Sequence, residues 1–271
     1  RRAKAQQAAN APSHTMFVTL RKGLEDLVTA LTGSIQKAGG ILRTSVGADA
    51  VRVRSHQAGR WMYDIICTDG TILSADALLL ATPAYVSAEL VRPLSPLAAG
   101  LMDMIPYAST ATISLIYSAD AIGDRLQGFG FVVPRIESRD LIAATWTSNK
   151  WPHRAPPNEI SVRGYLGGVG REVIFEQDDE ALVRCVRKEL ASIVGLQAPP
   201  LYVEVNRWHR AMPQYTIGHL NRLAQLEVAL SRFGGLNITG AAYRGVGIPD
   251  CIRDGTETAT RTLQYLRSTM A

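Results

Sequence analysis

The stretch GGLNITGAAYRGVGIPDCIRDGTETATRTLQYLRS, residues 234–268, constrains the fold more than any other part of the chain. Its apolar opening reads as a short strand and its end as a helix. Between them Gly240, Gly245 and Gly247 strip side chains from the connection. Pro249 suits the first turn of a helix, where its missing N–H is not needed. The first N–H groups of a helix have no partner within it and together carry about half a positive charge. Such an end favours an anion, and either a phosphate or the anionic form of a reduced flavin ring would suit it. The competing reading is a tight strand-to-helix connection packed on the core. Gly255 lies inside the helix at a cost of about 1 kcal/mol relative to Ala, so a close neighbour is expected to keep it there. The helix is expected to bury Ile252, Ala259, Leu263 and Leu266.

Upstream, residues 20–40 place Leu24, Leu27, Val28, Leu31 and Ile35 on one helical face, with Gly39-Gly40 as the stop. ILRTSV and VRVRS read as short strands. WMYDIIC and TILSADALLL read as a hairpin around Asp69-Gly70, because Asp-Gly suits the positive φ of a tight turn. Asp76 to Ala81 then runs into a helix with Thr82 as N-cap and Pro83 as first helical residue, ending near Arg92-Pro93. From about 104 to 205 the texture changes to antiparallel strands: YASTATISLIYS, GFGFVVP, ISVRGYLGG and LYVEVNRWHRA. An amphipathic helix at 178–195 turns Leu182, Val183, Val186, Leu190 and Val194 inward, and the acidic run 176–180 opens it. A further helix is expected near 219–232. Helices mixed with strands, plus one insertion of antiparallel character, give an α/β (α+β) fold with two lobes.

With 271 residues the chain can bury a sizeable core in two domains or one large one. Charged residues make up 20% and no apolar run approaches the length of a membrane span. The net charge of +5 comes from scattered basic residues, which argues against nucleic acid and leaves an anionic substrate or membrane surface open. Cys67, Cys185 and Cys251 have no CxxC partner, and the five histidines show no ligand spacing, so neither a disulfide framework nor a metal site is expected. A reducing, cytoplasmic setting follows. The basic, unpatterned opening, residues 1–15, reads as a linker or severed loop.

The order of residues in GLNITGAAYRGVGIPDCIRDGTETA resembles the C-terminal signature of protoporphyrinogen oxidases, within the flavin-containing amine oxidase superfamily. FVTLRKGLEDLVTAL, DALLLATPAYVSAELV, RGYLGG and RWHRAMPQYTIGHLNRL follow in the family's order, so the resemblance runs from about residue 16 to the end. It implies FAD as cofactor, with Val246, Gly247 and Ile248 against the isoalloxazine ring and Gly240 ending the preceding strand. Val51 is the residue it places at the adenine end. It further implies that residues 16–92 and 206–271 form the FAD-binding domain and 93–205 the substrate-binding domain. The implied activity is oxidation of a porphyrinogen, protoporphyrinogen IX or coproporphyrinogen III, by molecular oxygen in haem synthesis. Six electrons leave the substrate, in three turns of the cofactor. Peripheral contact with the inner face of a membrane stays open, as does the oligomeric state. Departures are Ala241-Ala242, where family members often carry a polar residue, and the absence of a GxGxxG after a strand. The family's dinucleotide fingerprint lies upstream, so this chain resembles the C-terminal half of such an oxidase. Other flavin amine oxidases, carotenoid desaturase relatives and a non-catalytic porphyrin-binding or inactive fragment are the alternatives.

Several single residues invite chemical roles. His209 and His219 suggest acid–base work, although packing fits them better and a flavin needs no protein base. Arg244 could meet an anion or an ion-pair partner. Trp146, Trp151 and Tyr165 lie where apolar and aromatic walls would suit a flat macrocycle, or simply in the core.

Overall fold

The computed structural model describes residues 18–57 and 60–270, so the expected linker 1–15 lies outside the described residues. The chain divides into two compact units, up to Ser45 and from Val46 onward. In the first, Glu25–Lys37 form α1, with Glu25 and Asp26 in its first turn and Lys37 in its last, each charge complementing the helix dipole. Ile41 to Ser45 carry no strand, contrary to the expectation for ILRTSV.

The second unit holds two hydrophobic cores. Around the first, β1 (Ala48–Gln57), β2 (Arg60–Cys67) and β3 (Ile72–Ala75) form an antiparallel sheet in that order. The Asp69-Gly70 turn is as expected, with Gly70 at φ +82° and Thr71 N–H donating to Asp69. TILSADALLL, however, is not one strand. Leu78–Leu80 form a separate strand, β4, which pairs in parallel with β10 (Leu236–Ile238). The split has a local cause. Arg60 grips Asp76 at the end of β3, and Leu78 N–H donates to Gly235 O, drawing the chain into the second sheet.

After β4, α2 (Ala84–Val91) begins one residue later than expected, because Pro83 at ψ 146° is still extended. Thr82 does not cap it; its hydroxyl meets Ser87 Oγ at 2.8 Å, while the Tyr107 hydroxyl accepts from Ala84 N–H. α3 (Pro96–Asp103) follows, N-capped by Ser95, with Pro96 at the first position. Val51, Tyr63, Leu80, Ala84 and Met102 are buried in this core together with Leu226 and Leu230 of α5 (His219–Ser231).

The second core lies under a five-stranded antiparallel sheet in the order β6-β7-β8-β5-β9. Its strands are β5 (Tyr107–Ser118), β6 (Gly130–Val132), β7 (Leu141–Trp146), β8 (Glu159–Gly167) and β9 (Tyr202–Pro213). Strand alternation sends Ala111, Ile113, Leu115, Leu141, Val162 and Leu166 to one face, against Leu182, Val186 and Leu190 of α4 (Asp179–Val194). Asp178 caps α4, accepting from Ala181 N–H at 2.7 Å. Gly164 lets the helix approach, since a Cβ there would fall 2.6 Å from Val186 Cγ1.

α6 (Ile248–Met270) closes the chain with its polar side inward. Asp254, Thr258 and Thr262 are buried, whereas Ile252, Ala259 and Leu263 are exposed; of the four residues expected inward only Leu266 is half-buried, so the face is largely reversed. The threonines can be buried because their hydroxyls are spent: Thr262 donates to Thr258 O and accepts from Asn237.

Candidate active site

The glycine turn is held by a buried acid. Asp254 is 3% exposed and accepts through Oδ2 from Thr239 Oγ1 (2.6 Å) and Gly240 N–H (3.2 Å), and through Oδ1 from Arg244 Nη1 (3.0 Å). Burial pushes this carboxyl up, but the hydrogen bonds from Thr239, Gly240 and Arg244, with the arginine charge, outweigh it and hold it below the ordinary carboxyl value. Arg244 also bonds Glu227, so its charge is spent within the protein. Gly240, at φ +120°, makes the bend.

The other end of the turn rests on Tyr215. Its hydroxyl donates to Ala241 O (2.7 Å) and accepts from Gly245 N–H (2.8 Å), and its ring stacks on His219 at 4.1 Å. His219 is buried with Nε2 3.0 Å from Tyr243 O, a packing role rather than an acid–base one. Gly245 sits at φ +139°, and a Cβ there would meet Asp250 Cβ at 2.4 Å, so this position cannot carry a side chain.

Beyond Gly245 the chain is open. Val246 is 62% and Ile248 46% exposed, with Ile252 beside them one turn on. Cys251 N–H donates to Gly247 O, but no described residue accepts from the N–H of Gly247, Ile248 or Asp250. Asp250 turns its carboxylate to Arg253 at 2.6 Å. Free donors rimmed by exposed apolar side chains fit the anionic edge and apolar face of a flavin ring. Gly255 is different: the nearest atom to a Cβ there, Thr239 Oγ1, is 4.0 Å away, so no described neighbour demands glycine.

Val246, Gly247, Ile248 and Gly240 thus form one connected piece. Val51 lies elsewhere, on β1 opposite Ile65, 1% exposed with its side chain in the first core. Only its main chain, in a strand at the edge of its sheet, is left to face a ligand.

A cleft of about 820 Å³ opens on the face of the five-stranded sheet away from α4. Thr110, Ala143, Thr145 and Tyr165 form its floor, and Trp208 and Met212 of β9 one side. Tyr165 thereby lines the cleft, whereas Trp146 is a core residue, 2% exposed, donating from Nε1 to Gln127 O. His209 packs on Phe175. At the β9 side the cleft reaches Gln214, the neighbour of the Tyr215 that holds Gly245. A smaller cleft of about 340 Å³, between Leu230, Asn237 and Tyr265, has Arg244 in its wall, already paired with acids. Among the described residues no three His, Cys, Asp or Glu side chains could share a metal ion.

Residues 5–263 match the flavin containing amine oxidoreductase family. The chain belongs to that family. It is 32% identical to coproporphyrinogen III oxidase of Bacillus subtilis, over 97% of this chain and 54% of the relative. It is 27% identical to the chloroplastic protoporphyrinogen oxidase of Oryza sativa, over 94% of this chain and 49% of the relative. A crystal structure from Exiguobacterium sp. 255-15, provisionally named protoporphyrinogen oxidase, superimposes with a TM-score of 0.81 at 28% identity, over 95% of this chain and 55% of its own. The chain spans about half the length of the curated relatives it matches. FAD is the cofactor that membership of this flavin family brings, and the bare start of α6 fits it. No described helix is long and apolar enough to cross a membrane.

Proposed function

We propose that this protein oxidises a porphyrinogen, protoporphyrinogen IX or coproporphyrinogen III, to the porphyrin, using FAD and molecular oxygen. The observation that carries this reading is the continuity of two sites. The cleft on the five-stranded sheet ends at Gln214, and the next residue, Tyr215, holds the turn whose open end fits a flavin. A flat macrocycle suits the cleft's apolar walls. The names of the relatives support the substrate class.

In this reading Val246, Gly247 and Ile248 lie against the isoalloxazine ring, Gly240 ends the strand beneath it, and the main chain at Val51 meets the adenine end. Residues 93–205 hold the substrate, and 16–92 with 206–271 hold the cofactor. FAD, when bound, supplies the two-electron oxidation, and three rounds turn three O₂ into three H₂O₂ for the six electrons and six protons lost. This chain's residues orient the macrocycle on the sheet and keep unfilled N–H donors at the α6 start. No protein base is invoked: His219 is buried under Tyr215, and His209 is exposed with its ring against Phe175 rather than among the residues that line the cleft. A cytoplasmic protein with peripheral membrane contact is compatible with it.

The test is to purify the full-length protein, record bound flavin by absorbance, and follow porphyrin fluorescence with each porphyrinogen and hydrogen peroxide from a panel of amines. Flavin and porphyrin formation are expected. Amine turnover without porphyrin formation, or a protein free of flavin, would overturn the reading.

A further inference from the structure

Two cations in the cleft are left over once the ion pairs among the described residues are assigned. Arg135 follows β6 in a single helical turn, and Arg171 follows β8; both line the cleft, in the loops after those strands. Met212 belongs to β9 and Gln214 follows it, at the edge of the sheet opposite β6. Arg135 Nη2 donates to Val169 O at 2.9 Å and Arg171 Nη1 to Arg139 O at 2.6 Å. These bonds to main-chain carbonyls orient both guanidiniums and use one of the five N–H groups that each carries. Neither has a carboxylate partner among the described residues, unlike Arg139 with Glu189 or Arg207 with Asp179. The loop that presents Arg171 has Gly168 at φ +92° and Gly170 at φ +75°, conformations that favour glycine, so the placement is built into the backbone.

We infer that Arg135 and Arg171 bind carboxylates of the substrate and hold a propionate-bearing edge of it away from the glycine turn. This rests on the proposed function for the identity of the substrate. Charge decides it: Val132, Ile142, Ala143, Tyr165, Trp208 and Met212 leave the cleft otherwise uncharged and largely apolar, so these two guanidiniums are the charged groups in its lining and no acid there competes with a bound anion. A guanidinium offers two parallel N–H groups to a carboxylate. Protoporphyrinogen IX carries propionates on two neighbouring pyrrole rings and coproporphyrinogen III on all four, so each offers an edge with two carboxylates for two arginines to meet. The opposite edge then faces the Met212–Gln214 side, which leads to the turn. Arg135 and Arg171 are thus specificity-determining residues.

The test compares coproporphyrin III with its tetramethyl ester, binding each to the full-length flavoprotein by fluorescence. The wild type should bind the acid at least about tenfold more tightly than the ester, the factor that ~1.4 kcal/mol produces. Arg135→Ala and Arg171→Ala should each weaken the acid about tenfold and leave the ester unchanged, and Arg171→Lys should recover part of the loss. Arg135→Gln and Arg171→Gln repeat the test with polar side chains of closer size, should an alanine variant fold poorly. Equal binding of acid and ester by the wild type, equal losses for both ligands in the variants, or no binding of either ligand would overturn the inference. A protein that binds the acid through these arginines yet never oxidises the porphyrinogen would keep this inference and sink the proposed function.

Discussion

Replacing Asp254 by Asn tests what holds the glycine turn. The amide keeps the shape but loses the charge, and one of its two polar ends must face a donor. Three donors converge on the carboxylate, from Thr239, Gly240 and Arg244. The side chain is 4% exposed against 28% for Arg244, so the pair is shielded from water on the acid's side. A hydrogen bond to a charged group contributes about 1.5–3 kcal/mol, and breaking a buried pair costs about 3–5 kcal/mol. Arg244 retains Glu227, which lowers the expected loss to about 2–4 kcal/mol. For a domain of this size that is a fall in Tm of roughly 5–15 °C, readable by circular dichroism. The pH dependence has a defined sign. The folded carboxyl is held below its ordinary 3.8, so its stabilisation is complete above that value and disappears as pH falls through the lower folded one. The gap between wild type and variant should therefore be full at pH 6 and narrow progressively below pH 4. A loss under about 1 kcal/mol at pH 6, or a gap unchanged at pH 2.5, would refute the account.

Other substitutions separate folding from cofactor binding. Gly247→Leu should leave the fold intact, because its φ is not in the left-handed region and the one tight neighbour of a Cβ, Asp250 Oδ2 at 3.1 Å, is the end of a flexible side chain that can swing aside, yet place a side chain where the flavin is proposed to lie. Loss of 450 nm absorbance with an unchanged Tm is expected, and full flavin occupancy would misplace the ring. Gly245→Ala should destabilise by about 2–4 kcal/mol, since it combines a strained φ with a 2.4 Å clash; a Tm within 2 °C of wild type would contradict this. Tyr215→Phe removes a hydroxyl that serves Ala241 and Gly245 and should cost about 1–3 kcal/mol, measured by urea unfolding, while weakening flavin retention. Ser95→Ala should cost about 1 kcal/mol as a lost helix cap, with no effect on flavin content.

Much of this was legible in the residues themselves. Glycines at 240, 245 and 247, between an apolar run and Pro249, announced a strand, a bare turn and a helix, and alternation marked β5, β8 and β9. The acidic residues at 178–180 marked the start of α4. Ser95 with Pro96 is an equally local signal for α3, a cap residue followed by a proline suited to the first helical position. The splitting of 71–80 between two sheets had no local signal, because Arg60, Asp76 and Gly235 decide it from a distance. Arg135 and Arg171 were invisible for the same reason: scattered basic residues differ only in which find an acid, and sequence spacing does not report that.

The sequence alone determined the family, the alternation of strand and helix, and the position of the bare turn, because these depend on periodicity, turn chemistry and residue order within a short window. The tertiary structure decided which way each face points. α6 has the right period but buries Asp254, Thr258 and Thr262 rather than Ile252 and Leu263, because the polar side chains find partners in β10 and the turn after it. It also set the role of each charged group. Arg244 beside the turn is consumed by Glu227 and Asp254, while Arg135 and Arg171, far from it in sequence, keep their charge for the cleft. Pairing of charges is a matter of distance in space, and only the folded chain brings the partners together or holds them apart.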